Sequence, residues 1–491
     1  MKKYFYIIAL SLLGASCNKF LDVKPQSQID MEELFTTEQG FKEALNGVYT
    51  LCASQSLYGE NLTFGNLDII AQNYQFNNVT YQNLANFDYG GDLMKGMTNA
   101  VWANGYKAIV NCNTLLLAID KDSSIFTGNN YSLIKGEALT LRAYLHFDLL
   151  RMFAPSYKAG ANLKGIPYVI SNGVESTPFT TVTATIDKII ADLTTAKELL
   201  RKSDPIVFSD YVVGYPSSTT ATETSSQELF MQNRRHRMNY FTVCGELARV
   251  YLYKNDLINS LANAQEVIDS KRFPFTTQDD FFQTDIVKKD RIFYNELISA
   301  WYIDTKDINT MLMARFTNQN PLFSGTVDQV KEIYEIAQAG GQDWRLKQWF
   351  LATSAVTGGP DRYILQKYYR NAAPLTNIHP LMAPTMRLSE MYYIAAEATF
   401  DINPTKALEY FNTLRAKRGI GSTIISVPNK DAFIDLLLKD ARKEFYGESQ
   451  IFYMYKRLNH AVTVSATQVK QPSTSIFVFP LPEDENAYRN N

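Results

Sequence analysis

The chain has 491 residues, 46% of them hydrophobic and 20% charged, a balance that can bury a large core and excludes a disordered chain. A formal net charge of -2 excludes an electrostatic nucleic-acid binder, which needs an excess of Lys and Arg to neutralise phosphates. Aromatic content is 13%, with 30 Tyr and 29 Phe but only four Trp, a mixture that serves buried packing and wet binding surfaces alike.

At the start of the chain Lys2 and Lys3 precede an apolar run from Tyr4 to Leu13, followed by Gly14, Ala15, Ser16 and Cys17. The run is shorter than the roughly 20 residues of a membrane span, so residues 1–16 read as a secretory signal peptide. Cleavage before Cys17 would free its amine and thiol for acylation, palmitate included, and tether a soluble body to a membrane. Simple cleavage and secretion is the alternative, because Gly14 stands three residues before the cysteine where such sites usually carry Leu. Cys52, Cys112 and Cys244 remain. They allow at most one disulfide, with a Cys52–Cys112 bridge left open, and their spacing has no metal-site pattern. Each reads as a small buried residue on a helix.

Four amphipathic helix pairs follow. Phe41–Ala53 and Val101–Ile119 have helical period but are separated by a long stretch rich in Asn, Tyr and Phe. Leu133–Phe153 pairs with Thr185–Leu200 across an insert carrying Pro155, Gly160, Gly165, Pro167 and Pro178, which cannot continue a helix. Asn239–Ser270 is clearest: Val243, Leu247, Val250 and Tyr251 share a face, a Lys254-Asn255-Asp256 turn follows, and Leu257, Leu261, Ala264 and Ile268 continue the period. In Met386–Gly419, Asn403-Pro404 breaks the pair and Gly419 ends it. One hairpin cannot bury its own apolar face, so the pairs are expected to stack as tetratricopeptide-like hairpins. The predicted fold is mainly all-α with little β and long loop-rich insertions, notably Tyr58–Gly96, Phe208–Gln232 and Phe275–Gly359. Residues 17–491 read as a single domain, with an N-terminal part of about 17–270 and a C-terminal part of about 271–491.

Four blocks stand out along the chain: CNKFLDVKPQ (Cys17–Gln26), IKGEALTLRAYLHFDLLRMFA (Ile134–Ala154), MRLSEMYYIAAEA with NTLRAKRGI (Met386–Ala398, Asn412–Ile420), and DARKEFYGESQIFYMYKRL with IFVFPLPEDE (Asp440–Leu458, Ile476–Glu485). Together they resemble the SusD/RagB family of outer-membrane nutrient-binding lipoproteins. The chain departs from the pattern at Asp440-Ala441, where the family usually has Glu-Arg, at Ser449, usually Gly, and at Met454, usually Asp. The resemblance implies a lipid-anchored surface protein that captures oligosaccharide or polysaccharide and forms the lid of a SusC-like TonB-dependent barrel, taking part in polysaccharide utilisation.

Charged residues within these helices, Glu137, Arg142, Arg387, Glu390, Glu397 and Glu444, lie among apolar neighbours, and several of them are expected to form interhelical ion pairs. Glu390 and Glu397 lie about 10 Å apart along a helix axis, too wide for a glycosidase pair. No metalloprotease helix, nucleophile elbow or phosphate loop occurs, so the chain reads as non-catalytic, with no cofactor and no metal. The run Asn233–Arg237 reads as a solvated helix start, while Trp102 and Trp349 read as packing. Glycan capture needs rings for the C–H faces of sugars and amides or guanidinium groups for their hydroxyls. Asn73, Tyr74, Asn77 and Tyr81 in the early insert, with Trp301, Trp344 and Arg345 later, are the candidate ligand residues. The other reading from the sequence is a helical-repeat interaction scaffold that binds a peptide or protein and no sugar.

Overall fold

A computed structural model describes residues 33–303, 306–318, 321–338, 340–354, 360–465 and 468–489; the signal segment and Cys17 lie outside them. Helix makes up 54% and strand 8%, so the fold is mainly all-α, as the periodicity implied.

The four hairpins form, α2 beginning at Asp92 inside the expected insert rather than at Val101: α1 (Glu38–Cys52) with α2 (Asp92–Ile119), α3 (Asn130–Phe153) with α4 (Val182–Ser203), α5 (Tyr240–Tyr253) with α6 (Leu257–Ser270), and α7 (Leu388–Thr399) with α8 (Pro404–Ala416). Each helix packs on the next from α1 to α8, giving the tetratricopeptide-like stack. Local chemistry sets the turns. Asn255 adopts φ +64, and the Asp256 side chain accepts from the Asn259 amide at 3.2 Å to start α6. Asn403 caps α8 by accepting from the Lys406 amide at 3.0 Å, with Pro404 in the first turn. Ala248 and Ala264 are fully buried, and the Ser260 hydroxyl donates to the Ala248 carbonyl at 2.8 Å, so α5 and α6 approach closely. Helix α3 is buried nearly all round, at the centre of the stack.

Two further helices, α9 (Lys430–Glu444) and α10 (Ile451–Leu458), turn the chain back across the body. Helix α10 meets the short helix Asn66–Ile70 of the first insert, and the Phe479 amide donates to the Met152 carbonyl of α3 at 3.0 Å. The stretch between α6 and α7 holds the strand Leu297–Tyr302, paired antiparallel with Met382–Arg387, and a sheet in which Arg362–Leu365 lies between Gly325–Thr326 and Phe350–Thr353.

All six of these charged residues are paired, several of them between helices as expected, while Arg387 stands at the end of the strand Met382–Arg387 rather than on a helix. Glu137 meets Arg234 at 2.7 Å and Arg237 at 2.8 Å, Arg142 meets Asp192 at 2.7 Å, Glu390 meets Arg249 at 2.7 Å and Glu397 meets Arg457 at 2.6 Å. Glu444 takes Arg387, Arg418 at 2.8 Å and Arg345 at 2.9 Å. Burial alone would raise its carboxyl, but Arg418 and Arg387 hold it well below the usual range. The Asn233–Arg237 reading needs correction: Arg234 and Arg235 are fully buried, because Asp204 at 2.9 Å neutralises the first alongside Glu137 and Glu223 neutralises the second at 2.5 Å. Ser449, where the resembled family usually has Gly, sits at φ +61, the left-handed region that favours glycine. Its hydroxyl donates to the Thr63 carbonyl at 2.9 Å and holds the turn. Cys52, Cys112 and Cys244 are buried free thiols, so the open Cys52–Cys112 question resolves to no bridge.

Candidate functional site

The first insert and the stretch between α6 and α7 meet around one phenylalanine. Gly65 lies directly against the Phe323 ring, where a Cβ would overlap it. Tyr74 stacks on Phe323 with centroids 5.3 Å apart, and the Gln75 amide donates to the Ser324 carbonyl at 3.1 Å. Arg315 ties down the Phe64 carbonyl at 2.7 Å and pairs with Glu60. Residues some 250 positions apart in the chain are thereby fixed as one surface.

On that surface Phe76 and Tyr81 stack on each other at 5.1 Å and both meet the Phe323 ring edge-on, at 5.7 and 5.6 Å. Both are only partly buried, and Asn77, Asn78 and Gln82 around them are exposed. Asn78 caps the helix Val79–Ala85 by accepting from the Thr80 amide, and Gln82 donates to the Phe76 carbonyl at 2.8 Å, which holds the ring pair in place. Beside it lies a cleft of about 870 Å³, whose walls include Gln72, Gln75, Gln329, Arg442, Tyr455 and His460. Arg442 is fixed by the Asn73 side chain at 2.9 Å and the Gln72 carbonyl at 2.5 Å. Rings for stacking thus adjoin amides and a guanidinium for hydroxyls.

The sequence candidates divide. Asn77 and Tyr81 reach this surface. Asn73 and Tyr74 lie directly beneath it and are buried, Tyr74 reaching Asp68 at 3.4 Å. Burial pushes the Asp68 carboxyl up to about 7 and holds the Tyr74 phenol well above its usual range. Trp301, Trp344 and Arg345 are not brought to it. Trp301 is 2% exposed, stacked on Tyr58 at 4.6 Å and flanked by Tyr49 and Tyr144; in a strand, alternate side chains face opposite ways, and it is Tyr302 that is 44% exposed. Arg345 is fully buried with Asp343, Asp440 and Glu444 around its guanidinium, which leaves no donor for a ligand. Trp344 packs against Phe281 and Phe282, next to Gly419 at φ +79. Phe76 and Phe323 were missed. Phe76 stands in the dense Asn/Tyr stretch already singled out, whereas nothing local marks Phe323 as the ring beneath it. Trp102 and Trp349 are core residues, as read.

A family profile described as "Starch-binding associating with outer membrane" matches residues 19–212, and the profile of the SusD family matches residues 215–489, more than half the chain. The chain belongs to the SusD family. SusD-family proteins are carbohydrate-binding proteins of nutrient uptake. Among curated SusD relatives, SusD-like protein P2 of Formosa agariphila is 23% identical over the whole of this chain and 98% of its own length. SusD-like protein P38 of the same organism is 23% identical over 94% of this chain and 92% of its own. The SusD fold is shared with a SusD superfamily protein of Bacteroides thetaiotaomicron, at a TM-score of 0.72 and 20% identity over 92% of this chain and 98% of that one. A SusD-like carbohydrate binding protein of Bacteroides vulgatus gives a TM-score of 0.72 and 17% identity over 93% and 97%. Among the described residues no helix is long and apolar enough to cross a membrane.

Proposed function

We propose that this protein is a non-catalytic glycan-capturing subunit of the cell surface, anchored in the outer membrane through lipid on Cys17 and acting as the lid of a SusC-like TonB-dependent barrel. The observation that carries the reading is the partly exposed Phe76–Tyr81 ring pair, seated on Phe323 and bordered by Asn77, Asn78 and the amide-lined cleft. A sugar can lay its C–H face on such rings while its hydroxyls meet the amides. Tyr74, Asn73 and Trp301 support this surface or the core beside it, and the ligand contacts fall to Phe76, Asn77, Tyr81 and Arg442. Glu390 and Glu397, each held by an arginine, serve packing rather than acid-base chemistry.

Affinity electrophoresis of the purified protein through gels containing plant, host and microbial polysaccharides tests the capture step. Retardation by at least one polymer is expected, with Tyr81→Ala and Phe76→Ala weakening it about tenfold or more, the worth of one or two lost stacking contacts. Retardation unaffected by either change would move the binding surface elsewhere. Co-purification of a β-barrel from outer membranes tests the lid role; repeated recovery without one would refute it.

A further inference from the structure

Several buried arginines of the core, namely Arg234, Arg235, Arg249, Arg387 and Arg418, are each neutralised by a carboxylate. Arg291 is not. It is 6% exposed, yet among the described residues its guanidinium has only neutral acceptors at long range: the Ile286 and Lys289 carbonyls at 3.4 Å and the Asn371 side chain at 3.3 Å. The neighbouring Asp290 is occupied elsewhere, accepting from the Tyr215 hydroxyl at 2.8 Å, Thr276 at 3.1 Å and the Ile292 and Tyr294 amides at 2.9 Å. Asp285 faces Lys288 instead. Next to Asn371 stands Arg370, partly buried, whose guanidinium meets one carbonyl, that of His379 at 3.0 Å, and no carboxylate among the described residues.

These cations adjoin two exposed rings. Arg291 lies over Tyr369 at 5.5 Å, and Tyr369 is 37% exposed. Tyr302 pairs in register with Met382, and the Ile303 amide donates to the Leu381 carbonyl at 3.1 Å, so the end of that strand lies beside the His379–Leu381 segment that holds Arg370. The exposed Tyr302 ring rests on His236 at 5.3 Å. A series of buried rings lies between the patch and the ring platform: Phe323 meets Phe316 at 5.8 Å, Phe316 meets Tyr368 at 5.6 Å, and Tyr369 is next in the chain.

We infer that Arg291 and Arg370, with Tyr302 and Tyr369, form a subsite for an anionic sugar, one that carries a carboxylate or a sulfate ester. This rests on the glycan-capture reading and narrows it to acidic glycans. A guanidinium presents paired N–H donors that match a carboxylate or sulfate fork, and it does so most strongly where water is excluded and no protein acid competes. The sugar ring bearing the anion would stack on a tyrosine while its acid group reaches the guanidinium groups. Burial and the charge of Arg291 push the Arg370 guanidinium down to about 10 and lower the Lys289 ammonium. Burial is the larger cause of both shifts, and the charge of Arg291 adds to it.

The test is isothermal titration of the purified protein with acidic oligosaccharides and their neutralised counterparts: oligouronates against carboxyl-reduced forms, and sulfated galactan oligosaccharides against desulfated ones. At least one acidic member should bind at least tenfold tighter than its neutral counterpart and weaken as salt rises. Arg370→Gln should cut that affinity about tenfold or more while changing neutral binding less than about twofold. Arg370 is partly exposed, so this change is expected to leave the melting temperature in place, and Tyr302→Ala provides a second variant that disturbs no buried charge. The carboxylate and sulfate pairs tell the two acid groups apart. Equal binding of acidic and neutral members, indifferent to Arg370→Gln, overturns the anionic subsite and leaves glycan capture standing. Absence of binding to any glycan overturns both.

Discussion

Replacing Glu444 with Gln tests whether the arginine cluster at the C-terminal end of the stack is held by charge. Glu444 is buried and accepts from Arg387, Arg418 and Arg345. Glutamine keeps the shape, but it turns one acceptor into a donor that faces guanidinium N–H groups and leaves buried positive charge uncompensated. Breaking a buried pair from one side costs about 3–5 kcal/mol. An unfolding entropy of about 2.1 cal/mol/K per residue sums to about 1 kcal/mol/K for a body of this size, so the melting temperature should fall by about 3–5 °C. The pH dependence gives a sharper reading. The folded carboxyl lies well below its value in the unfolded chain, so its contribution is fully present above the unfolded carboxylate range and is lost as pH falls through the folded value. The gap between wild type and Glu444→Gln, followed by differential scanning fluorimetry, should therefore hold steady from pH 8 to about 5 and narrow below about 4. A gap under 1 °C at pH 7 would refute the assignment of charge as what holds these segments.

Asp68 has the opposite sign: burial raises its carboxyl to about 7, so its ionisation costs folding stability as pH rises from about 4 to 7, and Asp68→Asn should raise the melting temperature at pH 8 while doing nothing at pH 4. Lys456 is buried, reaches only the Met152 carbonyl at 3.4 Å among the described residues, and burial with the nearby Arg151 lowers its ammonium well below the usual range. Lys456→Met should therefore stabilise at neutral pH, by a margin that shrinks as pH approaches about 10.5, checked by melting curves across that range. Gly419→Ala should lower the melting temperature by about 2–3 °C and shift the Trp344 fluorescence, since φ is +79 and a methyl group would overlap the indole. An unchanged spectrum would mean that the loop relaxes around it.

The hairpins were legible because each depends on a few neighbouring residues. The period of Val243, Leu247 and Val250, the Asn255 turn and the Asn403-Pro404 break carry the fold at short range. The ion pairs were legible as a class, since a charge amid apolar helix positions needs a partner, but the partners were not. Glu137 is answered from Arg234, 97 residues away, and that same distance concealed the burial of the 233–237 run. The candidate binding surface was least legible. Tyr74 and Tyr81 stand seven residues apart in one insert, yet Phe323 covers the face of one and supports the other from beneath. Only the tertiary contact decides which ring stays in water. For Trp301 the deciding partner is Tyr58, which no local pattern connects to it.

The strand Leu297–Tyr302 ends with two aromatics of opposite fate, Trp301 sealed against Tyr58 and Tyr302 open beside the unpaired arginines. Changing position 302 removes a surface ring and leaves the packed interior untouched, whereas changing position 301 opens a hole among three tyrosines. On the proposed anionic subsite, adjacent codons therefore carry separable traits, ligand preference at 302 and core packing at 301. On that proposal, the first can drift toward a new polysaccharide without disturbing the second.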